Sequence, residues 1–502
     1  MSENRQIVRK LRAFEAKKAL PKYSTIHLVD APNPAFLAFV RMSGETRPWG
    51  IAFGTQADGP KYFTVDDGRN RVAIDAILEE FAVTFLDYFR VENRTFQPIE
   101  KDNLGVDNPP QLWVPNSSHI DMLHFINYSH WRPRDEDDLS SLKPTLARLC
   151  GWLFRESKFA GQQLIVDSAA ALRDHYVFPV DDVTISNPAV ALEWLEDSKS
   201  IEDHVRESRT WGQDAAGTTL QPEVERKLEP LMDRENPKSA EIQSILFTEL
   251  ERRWQTAVLA HEALTNDPRP SNAGAIDLLT NSLNRYVYSY QSTERRVADP
   301  DSGKAFTPHP ETDNHGSAAA ASYYDMQAAD SQVFPALVHY DEEMLKDALY
   351  SGHAIAGVVQ HIEVEHTGPR SKEIYWRIRV EARDDFRLRE GESMSPMGDS
   401  KHSVKIKSVE YVNETQVDLR LHWTGRKTVA LTSGPNVAPS DMEWSNELIY
   451  FVSADSSQFD LQSRTKVWKA REGRGAWLTH GKSVVSADTR VIDDIRQIEG
   501  DK

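Results

Sequence analysis

The residues with the means to do chemistry are few and scattered. Ala476-Trp477-Leu478-Thr479-His480-Gly481-Lys482-Ser483 fits a relaxed phosphate-loop pattern, in which a lysine and a serine would meet a nucleotide's phosphates and magnesium. Its surroundings argue against that role. Backbone amides wrap a phosphate only where small residues follow a buried strand. Here Trp477, Leu478 and His480 fill the loop, the charged run Lys469 to Gly475 precedes it, and the residues up to Lys502 are too few for a nucleotide-binding domain. ATP is therefore expected neither to bind nor to be hydrolysed at Lys482. His119, Asp121, His124 and His130 crowd one stretch, but positions two apart do not share a helical face, and there is no His-Glu-x-x-His pattern. They read as local hydrogen-bonding groups near a helix start at Ser117 or Ser118. His361, Glu363 and Glu365 alternate along a strand and share one face. A solvated sheet face is the plain interpretation; a carboxylate–histidine metal site is the sharper one. His309, Asp313 and His315 have no recognised ligand spacing. Cys150 lies in the apolar run Leu149 to Phe154 and reads as a small buried hydrophobe. With one cysteine the chain has no internal disulfide and no cysteine-based zinc site. No Gly-x-Ser-x-Gly elbow or dinucleotide fingerprint is present. No catalytic, cofactor-binding or metal residue is expected on these grounds.

One basic cluster has a physical rationale. The chain carries a formal charge of −18, which excludes a general basic coat for nucleic acid. From Ser351 to Ala430, however, thirteen Lys and Arg balance twelve Asp and Glu. Lys401, Lys405 and Lys407 fall at odd positions along one strand, and Arg377 and Arg379 do the same beside Trp376. A β-rich face with basic residues and an aromatic platform is how many barrels track a single strand of nucleic acid. These six residues are the expected nucleic-acid contacts.

The elements that must position them follow from periodicity. The length suits two to four domains, and 39% hydrophobic residues with twelve Trp are ample for packed cores. A helix is expected over Arg5–Lys18. Strands follow at Thr25–Val29, Phe36–Met42, Trp49–Phe53 and Tyr62–Val65, punctuated by glycines as in an antiparallel meander. Ile74, Ile77, Leu78, Phe81, Phe85 and Phe89 recur at helical spacing. From His119 to Arg296 nearly all is expected to be helix, in segments at Leu139–Glu156, Gly161–Tyr176, Pro188–Arg206, Ser239–Leu264 and Ala273–Arg295. The Pro, Gly, Ser and Asp content of 297–332 suggests a linker. Strands at Ile355–Val364, Ile374–Val380, Val404–Tyr411, Gln416–His422 and Leu448–Val452 predict a small barrel or sandwich. The expected class is α+β, with a β/α unit at 1–115, a helical domain at 116–296, a linker at 297–332, a barrel-like domain at 333–460 and a tail at 461–502. No signal-peptide h-region and no stretch of ~20 apolar residues is seen, so a cytoplasmic protein with no membrane contact is expected.

Two stretches resemble a known family. Leu142-Lys143-Pro144-Thr145-Leu146-Ala147-Arg148-Leu149-Cys150-Gly151-Trp152, Gly161-Gln162-Gln163, Ala171-Leu172-Arg173-Asp174-His175-Tyr176 and Ala191-Leu192-Glu193-Trp194-Leu195 look like the helical region preceding the ATPase core of large bacterial superfamily 1 helicases of the nonsense-decay type. Gly352 to Val359 is similar to the first strand of the β-barrel that follows there, and Trp477-Leu478-Thr479-His480 to the end of that accessory region. The resemblance covers roughly residues 140 to 480 and includes no helicase core motif. It implies a non-catalytic accessory subunit for a separate helicase-like ATPase, in bacterial genome maintenance or phage defence, with single-stranded nucleic acid as a further partner. The alternative from residue types alone is a metal-dependent nuclease or hydrolase with scattered His, Asp and Glu ligands.

Overall fold

The computed structural model describes residues 2–22, 31–90, 93, 95–100, 103–106, 110–130, 141–158, 162–180, 184–196, 199–211, 216–232, 238–266, 342–351, 354–368, 371–381, 389–396, 403–423, 448–453, 476–479 and 482–486. These fall into two compact units, one of described residues up to 266 and one from 342 onward. The expected Thr25–Val29 strand, the Ala273–Arg295 helix and the 297–332 linker lie outside the described residues.

In the first unit α1 (Ser2–Ala16) leads to β1 (Leu20–Pro21), β2 (Ala35–Val40), β3 (Gly50–Thr55) and β4 (Lys61–Thr64), then α2 (Arg71–Tyr88). The hairpin β5 (Phe96–Glu100) and β6 (Asn103–Val106) precedes β7 (Leu112–Val114), α3 (Ser117–His130) and α4 (Lys143–Glu156). Next come β8 (Ile165–Asp167), α5 (Ser168–His175), β9 (Tyr176–Val177), α6 (Pro188–Glu193), α7 (Ile201–Trp211), α8 (Pro222–Leu228) and α9 (Ser239–Thr265). The meander β2–β3–β4 is antiparallel as expected, but β7 and β8 extend it in parallel to give the order β4-β3-β2-β7-β8. One hydrophobic core runs from Ala19 to Leu264. The expected boundary at 115/116 is therefore absent, because β7 ends where that boundary was drawn and β8 comes from the supposed helical domain. The predicted helix over Gly161–Tyr176 is in fact β8 and α5, and that over Pro188–Arg206 is α6 and α7.

Alternation along the sheet explains the layering. Phe53 meets Phe81 and Phe85 of α2 at centroid distances of 5.8 and 5.1 Å, whereas Phe36 meets Trp254 and His261 of α9 at 5.7 and 5.6 Å. Both faces of β2 are covered, so all six of its residues are buried. On the α9 side β3 presents Gly50, Ala52 and Gly54. A Cβ on Gly54 would lie 2.0 Å from the Gly59 carbonyl oxygen, so this close approach requires glycine.

Burying β2 requires partners for its backbone beyond the short β7. The Phe39 amide donates to His119 Nδ1 at 3.0 Å, and His119 Nε2 lies 2.8 Å from the Ala216 carbonyl oxygen. Nδ1 therefore accepts, and the proton sits on Nε2. Two residues further on, Arg41 donates its amide to the Thr218 carbonyl and accepts from the Leu220 amide, at 2.8 and 2.9 Å. Fully buried Arg253 of α9 holds this 216–220 segment, donating to the Gly217 and Thr219 carbonyls at 2.7 and 3.3 Å and to Glu249 at 2.7 Å. Burial lowers Arg253 to about 10, against the pull of Glu249, so it stays charged at neutral pH.

In the second unit α10 (Glu342–Ser351) packs on β10 (Ala354–Gly368) through Leu345, Ala348 and Ala354. With β11 (Ser371–Glu381), β12 (Ser393–Pro396), β13 (Val404–Asn413), β14 (Gln416–Trp423) and β15 (Leu448–Ser453), β10 forms a closed antiparallel barrel in the order β10-β11-β14-β13-β12-β15. Its interior is apolar, with Trp376 and Trp423 at 4.6 Å among Ile378, Val380, Met394, Val404, Ile406, Val417, Leu419 and Leu421. β14 alternates strictly between buried and half-buried residues. The hairpin β16 (Ala476–Thr479) and β17 (Lys482–Ser486) completes the described residues.

Burial lowers His119 to about 3, reinforced by the charge of Arg253 and opposed by the Ala216 bond. The sign follows from proton counting: between about 3 and 6.5 the unfolded chain binds a proton that the folded chain refuses, so stability falls as pH drops. Denaturant unfolding should lose up to about 1.4 kcal/mol per pH unit below 6.5 from this group. His119→Gln should be less stable at pH 7 but flatter in its pH profile; an unchanged profile would mean that His119 does not carry the effect.

Candidate functional site

The barrel's outer face brings together the sequence-expected contacts and corrects several of them. Trp376 is on β11 with the parity of Ile378 and Val380, which points it into the barrel, and it is fully buried. A stacking role for it is excluded by that placement. Arg377 and Arg379 take the opposite parity and are on the outer face, as expected. Lys405 and Lys407 of β13 are exposed, although a bulge between Ile406 and Ser408 makes Lys407 the extra residue. Lys401 lies outside the described residues; β13 begins at Val404.

Neither arginine presents an open charge. Arg379 stands directly opposite Asp418 and grips it bidentately, Nε to Oδ1 at 2.8 Å and Nη2 to Oδ2 at 2.9 Å. Arg377 stands opposite Arg420, a like-charge pair that would repel. Glu363 of β10 resolves the conflict, with Arg377 Nη2 at 3.7 Å and Arg420 Nη2 at 2.8 Å. To reach β10 from β14, Arg420 crosses the whole width of β11. Its guanidinium lies over the Tyr375 ring, 4.1 Å from the centroid, and ends on Glu363 and Glu365 at 2.8 and 2.6 Å. His422, directly opposite Tyr375, stacks on the same ring at 4.9 Å. This is why Tyr375 is only 7% exposed on an outward-facing position. Its hydroxyl donates to Glu373, which pushes it up to about 12, with burial adding to the shift. Burial lowers His422, and Lys407 adds to that, so the ring is neutral at neutral pH. The sequence contained Tyr375, Arg420 and His422 at outward parity, but it gave no sign that one arginine would bridge three strands.

The other candidate groups do not converge. His119 belongs to the β2 edge; His124 stacks on Phe154 at 4.3 Å; His130 Nδ1 is 3.9 Å from Asp75. His361 is exposed on the outer face that also bears Glu363 and Glu365, and those two carboxylates are engaged by Arg420. His309, Asp313 and His315 lie outside the described residues. Cys150 is fully buried, and burial pushes its thiol up, away from reactivity. Lys482 and Ser483 lie in β17, not at the start of a helix. Among the described residues no group of three or more His, Cys, Asp and Glu is placed to hold a metal, and no helix is long and apolar enough to cross a membrane.

The arrangement is suited to recognition. It offers a flat Arg–Tyr–His stack framed by carboxylates, with its charges mostly cancelled in place. Comparison of the chain with protein-family models, with curated proteins and with solved structures gives no match.

The placement of Trp376 and Arg379 has separate consequences. Trp376→Ala should cost about 3–5 kcal/mol, as for a large aromatic removed from a core, and abolish the exciton circular dichroism of the Trp376–Trp423 pair. Arg379→Ala and Asp418→Ala should leave that signal intact and show a coupling of about 0.5–1 kcal/mol in a double-mutant cycle. A tolerated Trp376→Ala with an unchanged spectrum would contradict the interior placement.

Proposed function

We propose that this chain is a non-catalytic interaction subunit that docks a partner protein on the outer face of β10, β11 and β14. The observation that carries this reading is Arg420, laid across Tyr375 and fixed by Glu363 and Glu365. Arginine and aromatic residues are enriched where protein interfaces concentrate their binding energy. Holding them in place before binding lowers the entropy lost on association. Nucleic acid is a poorer match for the same face. A phosphate would have to displace Asp418 from Arg379 and Glu363 from Arg420, which leaves Lys405 and Lys407 as the exposed lysines of the expected set among the described residues.

The class of partner comes from the sequence resemblance: a helicase-like ATPase of the nonsense-decay type, carried on a separate polypeptide, with single-stranded nucleic acid as the partner's substrate. In this arrangement the chain supplies the accessory barrel and the other protein supplies ATP turnover, in genome maintenance or defence against phage.

The test mixes the purified full chain with a helicase core of that type lacking its own barrel. The chain alone should turn over no ATP, and adding it should raise the core's nucleic-acid-dependent turnover. Arg420→Ala should weaken association at least ~10-fold, as for an interface hot spot, while leaving the barrel's circular dichroism unchanged. ATP hydrolysis by the chain alone, lost in Lys482→Ala, would overturn the proposal. So would a core indifferent to the chain.

A further inference from the structure

His422 occupies the most contested place on the barrel's outer face. On β14 it stands directly opposite Tyr375 of β11 on one side and Lys405 of β13 on the other. Its ring stacks on Tyr375 at 4.9 Å, with 26° between the planes, and its side chain is 19% exposed. Arg420, two residues earlier on the same strand, covers the same ring at 4.1 Å. His422 Nε2 lies 3.9 Å from Glu373 Oε2, beyond hydrogen-bond reach, and the Tyr375 hydroxyl donates to that same oxygen. One tyrosine thus carries a guanidinium and an imidazole on its ring and a contested carboxylate at its hydroxyl.

This arrangement suits a neutral imidazole. The charged groups that face it are Lys405 and Lys407 from β13, Arg420 from its own strand, Glu373 from β11 and Glu365 from β10, the last already bound by Arg420. A proton on His422 would set a second cation against a ring whose electron cloud already serves Arg420, and the two cations would repel. It would also draw Glu373 Oε2 away from the Tyr375 hydroxyl, because a bond with charge on both partners is the stronger one. The ring would then lose the acceptor that fixes its plane. Burial of the imidazole favours its neutral form, Lys407 and Arg420 add to that, and Glu373 and Glu365 oppose them, with the balance below the ordinary 6.5. Such coupling is reciprocal. If a seated Arg420 resists protonation of His422, protonation of His422 resists the seating of Arg420 by the same free energy.

We propose that His422 is a proton-operated release for Arg420: one proton taken up by the imidazole frees the guanidinium from the Tyr375 ring. The release belongs to the chain alone. Its consequence, that acid weakens a partner's hold on this face, rests on the docking function proposed above.

Nuclear magnetic resonance of the full chain, labelled with carbon-13 in arginine and histidine, tests the release without a partner. The Arg420 and His422 signals are identified by their loss in Arg420→Gln and His422→Gln. Between about pH 8 and 5, the span in which histidine changes charge, the Arg420 δ protons should lose most of their upfield ring-current displacement. Their midpoint should coincide with that of the His422 ring and lie below 6.5. In His422→Gln the Arg420 signal should stay in place over the same span. In Arg420→Gln the His422 midpoint should rise, as reciprocity requires. The circular dichroism of the Trp376–Trp423 pair checks that each variant keeps its barrel. An Arg420 signal that does not move as His422 titrates overturns the proposal. So does one that moves equally in His422→Gln, which would assign the change to Glu363 and Glu365, or a His422 midpoint indifferent to Arg420→Gln. Failure here leaves the docking function standing, and a helicase core indifferent to the chain at every pH overturns docking and not the release.

Discussion

Arg420 is the residue around which the barrel's outer face is organised. Two arginines, Arg377 and Arg420, meet on neighbouring strands, and each would raise the cost of the other unless a carboxylate intervened. Glu363 supplies it from a third strand, and Tyr375 supplies the surface over which Arg420 reaches it. The consequences spread outward. Tyr375 is shielded although it points away from the core, His422 is held neutral against the same ring, and Glu365 becomes part of the anchor. Positive charge that would attract a phosphate in an unpaired state is committed within the protein. In the proposed reading, such a face would select a partner by shape and paired charge, and a partner that brings only negative charge would gain little from it.

The first unit obeys the same rule about buried polarity in its backbone. Strand β2 is covered on both faces, so each of its amides needs a partner away from water. β7 serves two residues, then His119 serves Phe39, then the 216–220 segment serves Arg41. Arg253 holds that segment from α9, and its own charge is matched by Glu249. A sheet edge, a helix start and a distant segment are thus bound into one core. For that reason the expected division of the chain near residue 115 has no counterpart in the fold.

Much of the barrel was legible because it rests on local alternation. The strands β10, β11, β13, β14 and β15 lie where β-branched and apolar residues alternate, within a few residues at each end. β12 was not legible: Ser393-Met394-Ser395-Pro396 has no strand signal, and its membership is imposed by closure between β13 and β15. Trp376 was misplaced although its parity with Ile378 and Val380 was readable, because an aromatic beside basic residues was weighed above its own apolar row. β7 and β8 were missed because three-residue buried strands carry no period. The role of His119 was out of reach, since its partners are 80 and 97 residues away in the chain.

In the reading proposed above, carboxylates, and not an absence of cations, keep the barrel's outer face from acting as a nucleic-acid surface. A salt titration of single-stranded DNA binding by the full chain and by its Glu363→Gln, Glu365→Gln, Asp418→Asn variant tests it most directly. With Lys405 and Lys407 as the exposed lysines of that face among the described residues, the unmodified chain should bind weakly, with a log–log slope no steeper than about −1.4 to −1.8. Releasing Arg377, Arg379 and Arg420 should raise affinity and steepen the slope by about two to three. Tight, steeply salt-dependent binding by the unmodified chain, unchanged in the variant, would contradict the claim.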